Sequence, residues 1–235
     1  MKTLFLTCLL IFSKVIAQTP TNYVEKVDAI ANMERSGHER LMNSNNVTAA
    51  YNFDVKYYRC EWQVDPAVRF IKGKVTVYFT LTSSTNSISF DLMSQLVTDS
   101  VKQRNILLNY LHANNVLQVN FANPLSAGAF DSVSIFYNGI PAATGFGSFI
   151  QIIHAGVPVI WTLSEPYGSR DWWPCKNGLD DKADSIDVII THPSQYKAAS
   201  NGLLQSETLS GFNKITHWKH RYPIASSLIC SAVTT

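Results

Sequence analysis

Charge is scarce in this sequence. Lysine, arginine, aspartate and glutamate make up 15% of its 235 residues, well below the quarter usual in globular chains. Residues 1–17, read below as a cleaved leader, hold Lys2 and Lys14 of the 19 bases and none of the 17 acids, so the remainder is neutral. A neutral, sparsely charged chain offers no field to draw in nucleic acid or an anionic membrane, and neither partner is expected. Cysteine is scarce as well. Cys8 falls in the leader, and the other three, Cys60, Cys175 and Cys230, are too few for a disulfide framework and form no CxxC pair, which excludes a zinc ribbon. Unpaired thiols are expected, with one bridge left open.

Catalytic signatures are missing too. No Gly-x-Ser-x-Gly elbow occurs, so nucleophilic hydrolysis of that kind has no support. "GFGSF" at 145–149 lacks the third glycine and the helix of a phosphate cradle, and reads as a tight turn. "HERLM" opens like HExxH at His38 but has Met42 where the second histidine belongs. His217 and His220 lie three apart in a strand-like segment, where they face opposite sides and read as surface histidines. No metal or other cofactor is expected in this chain.

Long apolar runs are also absent. Leu4–Phe12 is short of the ~20 residues of a membrane helix, and with Lys2 before it and the small Ala17 after it reads as a secretory signal peptide. Export is expected, to the periplasm, cell surface or medium, with no transmembrane segment once residues 1–17 are removed. Residues 18–50 read as a helical lead-in: Asn22 and Glu25 resemble a capping box, Tyr23, Val27, Ile30 and Leu41 share a face, and "NSNN" at 43–46 ends it. Asn46-Val47-Thr48 is a formal glycosylation sequon in what reads as a polar loop.

What is present from residue 51 onward is alternation of period two. Phe53, Val55 and Tyr57, then Cys60, Trp62 and Val64, form an apolar set whose phase slips near Tyr57-Tyr58, as at a β-bulge. Val75, Val77, Phe79 and Leu81 line one face of the next segment. Further strands are predicted over 86–91, 96–103, 116–121, 132–138, 158–163, 186–191, 214–219 and 226–234. Short strands parted by Gly, Pro, Asn and Ser indicate an all-β antiparallel sheet or sandwich over 51–235.

One stretch departs from this pattern. "SEPYGSRDWWPCKNGLDDKAD", residues 164–184, gathers five acids, three bases, two tryptophans and a cysteine. Trp172, Trp173 and Pro174 should bury against the sheet, and charges beside them need partners. A buried network of Arg170 with acids is therefore expected to staple the loop, involving Asp180, Asp181 and Lys182. Glu165 stands apart from that network, at the end of the apolar strand "VPVIWTLS".

Glu165, Arg170, Pro174-Cys175, Lys182-Ala183 and Ser200-Asn201 stand in the order of a block in the N-terminal domain of the aminopeptidase N family of zinc exopeptidases. "HRYPIASSLICSAVTT" resembles the block that follows it there, and "VDPAVRFIKGKVTVYF" an early strand pair with its glycine. Departures are Leu163 for a glutamine, Pro166 for an alanine, a doubled tryptophan before Pro-Cys, and "NGLDDKAD" after it. The resemblance implies a saddle-like β-sandwich. It also implies that Glu165 grips the substrate's amino terminus, that Arg170, Pro174, Cys175, Asp181 and Lys182 shape the loop, and that the full-length enzyme uses zinc. The implied partners are a peptide substrate and a catalytic domain beyond Thr235. Ending in an apolar strand, without the family's HExxH, the chain reads as a fragment with no activity of its own. A stand-alone binding module, with Trp172-Trp173 as an aromatic platform for glycan or peptide, is the rival expectation, and a catalytically inactive scaffold is a third.

Overall fold

The computed structural model describes residues 51–142 and 148–235, together with Asp28 and Asn32. The leader, the sequon and nearly all of the expected helix lie outside the described residues. Among the described residues fourteen strands follow in order. The first seven are β1 (Phe53–Asp65), β2 (Val68–Leu81), β3 (Thr85–Asp91), β4 (Val97–Gln103), β5 (Ile106–Ala113), β6 (Val116–Leu125) and β7 (Phe130–Gly139). After them come β8 (Phe149–His154), β9 (Val157–Thr162), β10 (Ser185–Pro193), β11 (Lys197–Ser200), β12 (Leu203–Ser210), β13 (Asn213–His220) and β14 (Ser231–Thr234).

They form a ten-stranded sheet, β12-β13-β10-β1-β2-β7-β4-β5-β6-β3, and a four-stranded sheet, β11-β14-β9-β8. Pairing is antiparallel except between β1 and β10, which run parallel. Alternation drives the packing. Phe53, Val55, Tyr58, Cys60, Trp62 and Val64 of β1 are buried, and the phase slips where the β1–β2 register shifts between Val55 and Tyr57. The bulge turns Tyr57 outward and Tyr58 inward. Val75, Val77, Phe79 and Leu81 are all buried, each worth roughly 1.5–3 kcal/mol as a filled core side chain. The small sheet lays Phe149, Ile160 and Val233 into the same core, against Trp62, Ile71 and Ile190 of the large one.

Four strands escape the expected pattern. β12 is exposed at every residue, so it has no apolar period to read. Along β5 only Leu108 of the three leucines is buried, and β11 is only four residues long. β8 turns its end, Ile152 to His154, to solvent. The strand expected over 226–234 is split, with a 3₁₀ turn at Ser226–Leu228 ahead of β14. β14 is paired on both sides, by β11 and β9, and is not the open edge that its apolar sequence implied.

Candidate functional site

The loop 163–184 leaves the end of β9 and returns into β10, and its geometry grows from the core outward. Gly73 on β2 sits opposite Tyr137 on β7. A side chain at Gly73 would put its Cβ 2.4 Å from the Tyr137 ring, so the glycine lets the ring lie across the strand. The Tyr137 hydroxyl then donates to the Trp172 carbonyl at 3.0 Å. Trp172 packs on Trp62, with ring centroids 4.6 Å apart, and Trp173 meets Tyr58 edge-on at 5.1 Å. Their exposures are 1% and 0%, so neither ring offers a platform to a ligand. The rival expectation of an aromatic surface at this pair is overturned because both indoles fill the space between loop and sheet.

Backbone bonds stitch the loop in place. Asp91 and Cys175 exchange two of them, at 2.9 and 3.1 Å, and Met93 donates to the Arg170 carbonyl at 2.9 Å. Pro174 and Cys175 are buried, and burial pushes the Cys175 thiol well above its ordinary value. Cys60 is likewise a buried free thiol, and Cys230 is free and exposed.

The expected charge network exists with a different cation. Lys176, 8% exposed, reaches Asp181 Oδ2 at 2.8 Å and donates to the Phe53 carbonyl at 3.0 Å. The same carboxylate oxygen accepts from the Val55 amide at 3.0 Å, so one ion pair ties the loop to β1. The Lys176 amine also lies over the rings of Tyr51 and Phe53. Beside it, Tyr51 donates to Asp91 and accepts from the Asn177 amide at 3.0 Å. Burial, reinforced by Asp91, raises the Tyr51 hydroxyl far above its usual pKa and keeps it protonated. Asp180 and Lys182 are exposed. The Arg170 and Lys182 side chains make no ion pair or hydrogen bond among the described residues, so the cation predicted to staple the loop is Lys176 and not Arg170. Lys176, Asn177, Tyr51 and Asp91 were not anticipated. The one signal for Lys176 was its place inside the acid-rich stretch.

Glu165 stands outside this network. It is exposed, precedes Pro166 through a cis peptide bond in a turn, and its carboxylate has no partner among the described residues. Gly168 donates to the Ser164 carbonyl at 2.6 Å across that turn. No group of three or more His, Cys, Asp or Glu side chains among the described residues is arranged to hold a metal ion. His217 is half-buried and bound to Asp187 at 2.5 Å, a structural pair on the sheet. Among the described residues no helix is long and apolar enough to cross a membrane.

The family described as the peptidase M1 N-terminal domain matches residues 54–228. The fold is similar to that of an M1 zinc metallopeptidase from Deinococcus radiodurans, with TM-score 0.70 at 23% identity over 79% of this chain and 42% of that one. A variant of a two-domain M1 zinc metallopeptidase bound to L-arginine gives 0.71 at 23%, over 79% and 43%. A D. radiodurans variant bound to a Tyr-Ser-Ala substrate gives 0.70 at 22%, over 79% and 43%. This chain thus spans less than half the length of these solved structures, and the likeness is one of fold. No curated protein matches the sequence.

Proposed function

The chain belongs to the family of peptidase M1 N-terminal domains, and we propose that it is the substrate-recognising, non-catalytic part of an exported zinc aminopeptidase. Export follows from the leader at 1–17, and the substrate is a peptide with a free amino terminus. The residues here do not fit a zinc site, since no HExxH occurs in the sequence and no ligand cluster stands among the described residues. The metal and the chemistry at the scissile bond belong, in this reading, to a catalytic domain that accompanies this one. Pro174, Cys175 and Asp181, with the Arg170 carbonyl, hold the loop against the sheet, and Lys182 stands exposed beside it.

The observation that carries the reading is the isolation of Glu165. Other acids of the loop are engaged or lie at its rim, whereas this carboxylate is exposed and unpaired on a turn fixed at both ends. A peptide's α-ammonium, with a reference pKa of ~8, is charged at neutral pH and makes short charge-assisted hydrogen bonds to a carboxylate. Holding that end sets its distance from a metal in the neighbouring domain, so the first peptide bond is the one presented. Glu165 acts as a ruler, and neither gives nor takes a proton.

The test is Glu165→Ala in the enzyme comprising this domain and its catalytic partner. Removing one member of a charge pair that is desolvated in the complex costs roughly 2–5 kcal/mol, so kcat/KM toward aminoacyl substrates should fall about 30-fold or more, with the melting temperature unmoved. Unchanged kcat/KM would remove Glu165 from recognition. Absence of peptidase activity in the unsubstituted, zinc-supplied protein would favour the inactive scaffold instead.

A further inference from the structure

We propose that Ser164, Trp172 and Asn177 are positioning residues that set where the Glu165 carboxylate stands, an inference that rests on the reading of Glu165 given above. The turn from Ser164 to Gly168 is short and lies at the surface, and its one internal hydrogen bond closes it without aiming it. Aim comes from three contacts with the interior.

Ser164, 1% exposed, presents its hydroxyl oxygen to the Trp172 indole N–H at 2.8 Å. Trp172 is itself immobilised by Trp62 and Phe149 and by the Tyr137 hydroxyl on its carbonyl. At the other end, buried Asn177 donates its side-chain N–H to the Tyr167 carbonyl at 2.9 Å. Its backbone N–H is meanwhile held by Tyr51. The third contact is steric. A Cβ on Gly168 would lie 2.2 Å from the Ser148 hydroxyl, which donates to Asp171 at 2.5 Å.

Fold maintenance alone does not account for this arrangement. The neighbouring Trp173 indole N–H is equally buried and has no hydrogen-bond partner among the described residues. The core therefore tolerates an unmatched indole, yet it satisfies the one whose partner adjoins Glu165. Ser164 and Tyr167 flank the Glu165-Pro166 pair, and both are fastened inward while the carboxylate between them is left facing solvent. A small displacement at such a site is enough to matter, because misplacing a binding group by ~1 Å can cost as much as ~100-fold.

The experiment uses the zinc-loaded enzyme comprising this domain and its catalytic partner, carrying Ser164→Ala with Trp172→Phe. Changing both removes the bond without leaving a buried donor unpaired, which holds the stability loss down. Calorimetric affinities are measured for L-leucine and for its des-amino analogue, alongside KM and kcat with an aminoacyl substrate. The expectation is about tenfold weaker binding of L-leucine with the des-amino ligand unaffected, and KM raised more than kcat is lowered. In a Glu165→Gln background the same pair of changes should move L-leucine affinity by less than about twofold, because the effect acts through Glu165. Should the double variant melt early, Asn177→Ser, which loses the Tyr167 bond and a long contact from the Cys175 thiol, carries the same expectations. Equal losses for both ligands, additivity with Glu165→Gln, or no loss in a folded variant would each overturn the proposal. If Glu165→Gln alone has no effect on L-leucine, the reading of Glu165 has failed. If Glu165→Gln weakens binding and the anchor changes do not, only the positioning role has failed.

Discussion

Lys176 shows how one residue decides the state of a whole loop. Its amine is nearly sealed from water and satisfied by Asp181, the Phe53 carbonyl and two aromatic faces. Replacing it with methionine keeps the stem but leaves the Asp181 carboxylate buried with one fewer cation, the kind of change that costs about 3–5 kcal/mol. Lys176→Met should therefore lower the denaturation midpoint sharply, and exchanging both Lys176 and Asp181 for apolar residues should recover much of the loss. A midpoint unchanged by Lys176→Met would mean that the pair contributes nothing. The sequence placed this chemistry in the correct stretch but named Arg170 as its cation. Three bases share that stretch, and only the fold shows that Lys176 turns toward β1 while Arg170 contributes a carbonyl to Met93.

At the scale of elements, the β1–β10–β13 seam carries two titrating devices on opposite faces. Asp187 on β10 is buried, which works to raise its pKa, but hydrogen bonds from Lys219, Tyr57 and His217 outweigh this and hold it below the ordinary carboxylate range. Its stabilising effect is present above a pH of ~3.8 and is lost as pH falls further. His192 is the other device. It is 1% exposed and bonded to Thr216 and to the Pro193 carbonyl, and burial lowers its pKa below the usual 6.5. Below ~6.5 the unfolded chain takes up a proton that the folded imidazole refuses, so stability is full above that pH and declines as pH drops toward the folded pKa. Denaturant midpoints measured from pH 7.5 down to 5 should fall in the parent, and His192→Gln should flatten the slope in that window. A parent midpoint that rises on acidification would contradict the assignment. Strand β12, with all eight residues exposed, shows the reverse case, where pairing to β13 makes a strand without any burial to announce it.

Across the whole molecule, a chain of contacts links the large sheet to the candidate site: Gly73 admits the Tyr137 ring, Tyr137 holds Trp172, and Trp172 holds Ser164 beside Glu165. Gly73→Ala should displace the ring at an overpacking cost of about 1–3 kcal/mol. It should also change the tryptophan fluorescence, since the Trp172 carbonyl loses its partner. Unaltered stability and emission would show that the ring has room to spare.

Much of this architecture was written in the local pattern. Alternation along β1 and β2 foretold which side chains form the core, because a pleated strand sends successive residues to opposite faces whatever lies beyond it. The paired tryptophans foretold an anchored loop, since apolar area of that size is buried wherever the chain allows. The sequence by itself determined the β class, the buried face of the main strands, and the stretch where polar chemistry concentrates. Tertiary structure alone decided the parallel neighbour of β1, the cover on both edges of β14, the cation that meets Asp181, and the solitude of Glu165. Each of those depends on groups distant along the chain meeting in space, and local propensity carries no record of such meetings.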